Sequence, residues 1–168
     1  MTETPELPDE QPPKPVLVLG VGNILLGDEG VGVRVAEKIM EYPLPDDTEV
    51  IDGGTSQLVI VDLIRGRRKV IIVDAICGDG SPGTLYKFGV ADLQAAAGSM
   101  RSAHDMGVTE AVFFLSLTGE LPEDFTFFGV EPGSLEPSLE FTPAVAAAMP
   151  RLTELVLEAA GIPDHRNG

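Results

Sequence analysis

A chain of 168 residues is enough for one domain with its own core and requires neither disulfides nor a structural metal to fold. Eleven basic residues against 27 acidic ones leave a formal charge of −16; nucleic acid, which is bound by neutralising phosphates with Lys and Arg, is thereby excluded as a partner, and anionic membrane surfaces are disfavoured. The single cysteine, Cys77, excludes an internal disulfide, and no apolar run approaches the roughly 20 residues of a membrane span, so a soluble cytoplasmic protein is expected.

Residues 1–14 carry four Pro, four acidic groups and almost nothing apolar, the composition of a disordered tail, and they lack the basic and apolar regions of a signal peptide. Val16-Leu-Val-Leu19 is a continuous apolar run, as in a strand buried on both faces. A helix is expected over Gly30–Tyr42, where Val31, Val35 and Ile39 share one stripe. Glu49–Ile51 reads as a second strand running into Asp52-Gly53-Gly54, and Gln57–Arg65 as a helix. Lys69–Val73 is the clearest strand, β-branched in its interior and expected to stop at Asp74.

After the turn cluster Gly78–Gly83, Thr84–Phe88 can pair at a sheet edge. Val90–Gly98 is an Ala-rich helix, His104 lies in a loop, and Val108–Leu117 is a helix ranging from amphipathic to wholly apolar. Asp124–Val130 is a further strand and Glu131–Pro137 a loop. The last helix, Thr142–Ala160, has Thr142 as N-cap, Pro143 in its first position and Gly161 as its stop; Pro150 should kink or split it. Strands alternating with helices predict a single three-layer αβα domain over residues 15–162. Its sheet is expected to be mostly parallel, twisted and of about five strands, with helices on both faces; residues 163–168 are a flexible tail.

In such a sheet, sites lie beyond the carboxyl ends of the strands, which directs attention to Gly20–Glu29, Asp52–Thr55, Asp74–Cys77 and Glu131–Glu136. A dinucleotide fingerprint starting at Gly20 is met at Gly22 and fails at Leu25. The Gly-Lys-Ser/Thr phosphate loop is absent, and the carboxylates of Asp28 and Glu29 would repel a phosphate. Asp28 can simply cap a helix, Glu29 complement its dipole, and Asp74 bond to a following turn. Together, however, Glu29, Asp74 and a loop histidine, His104, can make a two-carboxylate, one-imidazole set suited to nickel or zinc, with open positions for water or substrate. His165 lies in the polar tail and is expected to be solvated. Gly-x-Ser-x-Gly and His-Glu-x-x-His motifs are absent, and Cys77 has no base in its local sequence, as befits a bystander thiol.

Val16–Gly32, VLVLGVGNILLGDEGVG, closely resembles the opening of the hydrogenase maturation proteases. The likeness continues in the same order through Asp52-Gly-Gly-Thr55, Val73-Asp-Ala75, Ser102-Ala-His-Asp-Met-Gly107, Gly129–Pro137 and Phe141-Thr-Pro143. The resemblance implies an endopeptidase that cuts the carboxyl-terminal extension from the large-subunit precursor of a nickel–iron hydrogenase after nickel insertion. It implies Glu29, Asp74 and His104 as the catalytic and metal-contacting residues. Nickel would be supplied by the precursor as the recognition element, with no tightly bound cofactor in the isolated protein, which is expected to be a monomer. Asp28 or Glu29 can alternatively serve as general base. Two other readings stand beside it: a metallocentre chaperone that binds the same precursor without cutting it, and an unrelated small-molecule α/β binding domain. The Ser102-Ala-His104 stretch departs from the family's Ser-Pro-His form, and the acidic, Pro-rich amino-terminal tail has no counterpart in its pattern.

Overall fold

Two of the most apolar runs of the chain become central strands of its sheet. Burial on both faces leaves no room for polar side chains, so β1 (Val16–Val21) and the first part of β3 (Lys69–Cys77) are almost wholly inaccessible to solvent. The computed structural model describes residues 11–55, 57–96, 101–102 and 107–164; residues 1–10, most of the expected amino-terminal tail, and His104 and His165 lie outside them.

Around the central pair stand β2 (Thr48–Gly54), β4 (Leu85–Phe88) and β6 (Asp124–Val130), in the order β2-β1-β3-β6-β4. The β1–β2, β1–β3 and β3–β6 pairings are parallel, and β4 runs antiparallel along the β6 edge. A two-residue strand, β5 (Arg101–Ser102), pairs antiparallel with the end of β3, Ile76 opposite Ser102 and Cys77 opposite Arg101. The main sheet thus has the expected five strands, and among the described residues β5 adds a short sixth off that path. The extra pairing also explains why β3 does not stop at Asp74: its last residues continue as a ribbon with β5 beyond the body of the sheet.

Alternation along β3 sorts the core into two layers. Val70, Ile72 and Ile76 pack with α2 (Gln57–Ile64), α3 (Val90–Ala96) and α4 (Val108–Thr118) through Ile60, Ile64, Leu93, Val112 and Leu115. Ile71, Val73 and Ala75 face α1 (Val31–Met40) and α5 (Pro143–Ala160), meeting Val35, Ile39, Val145 and Val156. This is the expected three-layer arrangement. The order also reverses at β1: α1 carries the chain to β2 on one face, and α2 returns it to β3 on the other, opening a crevice between the carboxyl ends of β1 and β3.

Two expectations for α5 change. Pro150 lies inside one unbroken helix. Both Pro150 and Ala146, whose carbonyl loses its usual donor, are exposed, so water can reach that carbonyl. Buried Val145 before the proline and Leu152, Val156 and Leu157 after it hold both halves on the same core. Thr142 does occupy the N-cap position, yet its hydroxyl makes no cap bond; it donates to Asp28 at 2.7 Å.

Candidate active site

Between β1 and α1 the chain must reverse direction in a few residues while its helix lies close against the sheet. Gly32 makes the close approach possible, since a Cβ there would overlap the carbonyl oxygens of Val73 and Val21. Gly27, at φ 57°, begins a single 3-10 turn, Gly27–Gly30, that delivers Asp28 and Glu29 to the crevice. The helix-packing glycine that the dinucleotide pattern lacks at Leu25 is therefore supplied seven residues later, in a turn shaped for carboxylates and not for a pyrophosphate.

The two adjacent acids do different things. Asp28 is 1 % exposed and its carboxylate is fully engaged. Oδ2 accepts from the Gly133 N–H at 2.8 Å, the Ser134 N–H at 3.2 Å and the Thr142 hydroxyl at 2.7 Å, while Oδ1 accepts from the Thr142 N–H at 2.8 Å. Backbone bonds run beside it, from Gly27 N–H to Ser138 O at 2.8 Å and from Ser138 N–H to Leu25 O at 3.0 Å. Asp28 neither caps α1 nor is placed to act as a base; it fastens the Glu131–Thr142 loop to the glycine-rich turn. Glu29, also buried, sits where that turn packs against β3.

Asp74 is fully buried within β3, in the alternation series of Val70, Ile72 and Ile76, and its Oδ1 accepts its neighbour Ala75's N–H at 2.7 Å. Glu131, at the end of β6, accepts from the Gly78 N–H at 2.8 Å and the Tyr86 hydroxyl at 2.9 Å. Tyr86 in turn accepts from Gly80 N–H at 3.0 Å, so one carboxylate ties the exit of β3 to the edge strand β4. Burial, followed by the negative fields of Glu131, Asp74 and Glu29, pushes the Cys77 thiol above its ordinary value. Carboxylates from β3, from the end of β6 and from the glycine-rich turn therefore act on one point. A thiol held protonated there is a poor nucleophile, in agreement with its reading as a bystander. Asp52, on the outer edge, accepts from Gly54 N–H at 2.8 Å and closes the β2 turn.

Of the three residues singled out from the sequence, Glu29 and Asp74 thus lie at the β1–β3 crevice, and His104 falls outside the described residues. Ser102, two positions before His104, is paired with Ile76, two positions beyond Asp74. Among the described residues no three His, Cys, Asp or Glu side chains are grouped to hold a metal ion. Sequence reasoning missed the roles of Asp28 and Glu131, because their partners are 105 to 114 and 45 to 53 residues away. The only available signal was their place in the two quoted motifs. A separate groove of about 450 Å³ between α3 and α4 is lined by Leu93, Val112 and Phe113. Its Glu110 is engaged by Gly107 N–H at 2.8 Å.

Comparison with known proteins agrees with this fold. A profile of the hydrogenase maturation protease family matches residues 33–159, beginning just after the glycine-rich turn. The hydrogenase 2 maturation protease of Escherichia coli K12 is 40% identical over 146 residues, 86% of this chain and 89% of that protein. The hydrogenase expression/formation protein HupD of Rhodobacter capsulatus is 36% identical over 126 residues, 74% of this chain and 60% of that longer protein. Among solved structures, the hydrogenase maturating endopeptidase HybD from E. coli superposes with a TM-score of 0.79 at 40% identity, covering 86% of this chain and 90% of that one. The [NiFe] hydrogenase maturation protease HybD from Thermococcus kodakarensis gives 0.71 at 26% identity, covering 86% and 98%. No helix among the described residues is long and apolar enough to cross a membrane. By sequence and by fold, the chain belongs to the hydrogenase maturation protease family.

Proposed function

We propose that this endopeptidase removes the carboxyl-terminal extension from the nickel-loaded large-subunit precursor of a nickel–iron hydrogenase, and that Glu29, Asp74 and His104 form its site. The observation that carries the reading is the placement of two buried carboxylates, Glu29 and Asp74, at the reversal point of the sheet in a chain of this family. His104 enters the proposal from the sequence alone, through the Ser102-Ala-His104-Asp-Met-Gly107 motif.

Two carboxylate oxygens and an imidazole nitrogen suit nickel and form an incomplete shell, so they can share an ion whose remaining ligands belong to the precursor. Nickel carried in by that substrate would supply a Lewis acid at the scissile carbonyl. The chain's own residues have other tasks. Burial of Glu29 and Asp74 excludes water from around the charges and so strengthens their attraction for a cation. The Asp28-fastened loop fixes the turn that presents Glu29, and the Glu131 node fixes the end of β3 beyond Asp74. No resident metal is required by this scheme, and the protein acts as a cytoplasmic monomer.

Nickel-loaded precursor incubated with the protein should lose the mass of its extension, and nickel-free precursor should stay intact. Equal cleavage of both would overturn recognition through nickel. Glu29→Gln, Asp74→Asn and His104→Ala should each lower processing by about a hundredfold or more in protein that remains folded; full activity in all three would sink the assignment.

A further inference from the structure

The glycine-rich turn and the Glu131–Thr142 loop make one surface. Leu26 and Ser138 form an isolated parallel bridge, Ser138 N–H donates to Leu25 O, and Gly27 N–H donates to Ser138 O. Asp28 locks the pair from beneath through Gly133, Ser134 and Thr142. On this fastened frame Leu25, Leu135 and Leu139 are 61%, 37% and 70% exposed. Leucines held out to water on a rigid surface beside a site are the pattern of a recognition patch, in contrast to scattered single apolar residues.

The charge of the same surface is one-sided. Residues 16–33 and 102–150 contain no Lys or Arg, whereas Glu136 and Glu140 stand exposed among the leucines and, among the described residues, neither pairs with a cation. The described cations are bound elsewhere. Several lie at the amino end of the sheet, where Arg67 meets Glu49 at 2.6 Å, Lys69 meets Asp124 at 3.2 Å and Arg65 meets Glu120 at 3.0 Å. A partner seated on the leucines therefore meets the carboxylates of Glu136 and Glu140, on segments that carry no Lys or Arg.

We propose that the paired segments Asn23–Gly27 and Gly133–Phe141 form the docking platform for an extended segment of the client precursor, one with apolar side chains and Lys or Arg beside them. The proposal rests on the endopeptidase reading above and places the client's contact next to Glu29. The leucines supply affinity by burial; Glu136 and Glu140 supply orientation and a salt-sensitive encounter rate.

The test is calorimetric titration of the full chain with nickel-loaded large-subunit precursor of the host's own nickel–iron hydrogenase, together with cleavage kinetics. Leu25→Ser/Leu139→Ser should weaken binding about tenfold or more and raise KM while kcat at saturating precursor is retained. Glu136→Lys/Glu140→Lys should weaken binding and flatten its dependence on salt. Phe113→Ser/Leu117→Ser, which alters exposed apolar residues of α4, is the control and should bind like the parent. Binding within about twofold of the parent in both platform variants, or a loss confined to the α4 variant, overturns the platform. A parent that binds precursor without cutting it defeats the endopeptidase reading alone, because the platform is still judged by the binding isotherms.

Discussion

Removing the Asp28 carboxylate should loosen the site without touching its candidate reactive groups. Asp28→Ala deletes four hydrogen bonds of 2.7–3.2 Å to a carboxylate that is 1 % exposed. Bonds to a charged acceptor contribute about 1.5–3 kcal/mol each. The full sum is not lost, because Gly133 is exposed and Thr142 only partly buried, so water can satisfy some of the donors. A loss of about 3–5 kcal/mol follows. With a urea slope of about 2 kcal/mol per molar, the unfolding midpoint should fall by about 1.5–2.5 M. Asp28→Asn should do comparable damage, since its amide nitrogen would face an N–H or hydroxyl donor. Hydrogen exchange gives the local readout: the Gly133, Ser134 and Thr142 amides should lose protection far more than those of β3. A midpoint shift under about 0.3 M, or unchanged protection at those three amides, would refute the role of Asp28 as a fastening.

Gly32→Ala should cost stability by about 3 kcal/mol or more, because its Cβ would overlap two carbonyl oxygens of the sheet and α1 must lift away; a thermal melt within error of the parent would contradict that packing. The Cys77 thiol, pushed up by burial and three carboxylates, should alkylate more slowly near pH 8 in folded than in urea-unfolded protein. Because its folded value is raised, it favours the folded state in the protonated form, and that contribution is lost as pH climbs above the thiol's unfolded value. Cys77→Ala should therefore flatten the alkaline limb of the stability profile. Cys77→Ala should also process precursor at the parental rate; its inactivity would restore the thiol as a catalytic group.

The fold was largely legible because its main elements announce themselves by period. Val16–Leu19 and Lys69–Val73 are short, continuously apolar runs that suit strands buried on both faces, and Val31, Val35 and Ile39 mark α1 at helical spacing. What escaped is long-range. The β3–β5 ribbon depends on a two-residue pairing across the chain, which leaves no periodic trace. Pro150 predicts a kink or a split because its local penalty is visible in sequence, whereas the burial that keeps the helix unsplit comes from packing Val145, Leu152 and Val156 against strands far away in the chain. In the site, position after a strand pointed to Glu29 and Asp74. The division of labour between Asp28 and Glu29 could not be read, since neighbouring carboxylates differ only in what the distant loop brings to them.

The span of the Asp28 fastening also has a consequence in time. Its partners lie 105 to 114 residues further along the chain, and synthesis at about 5–20 residues per second separates them by roughly 5–25 s. The central strands can pair during that interval, but the loop that frames Glu29 is not yet made. A nascent chain can therefore pair β1, β2 and β3 while the turn is still unframed, and competence to act arrives late, with the segment that carries Thr142.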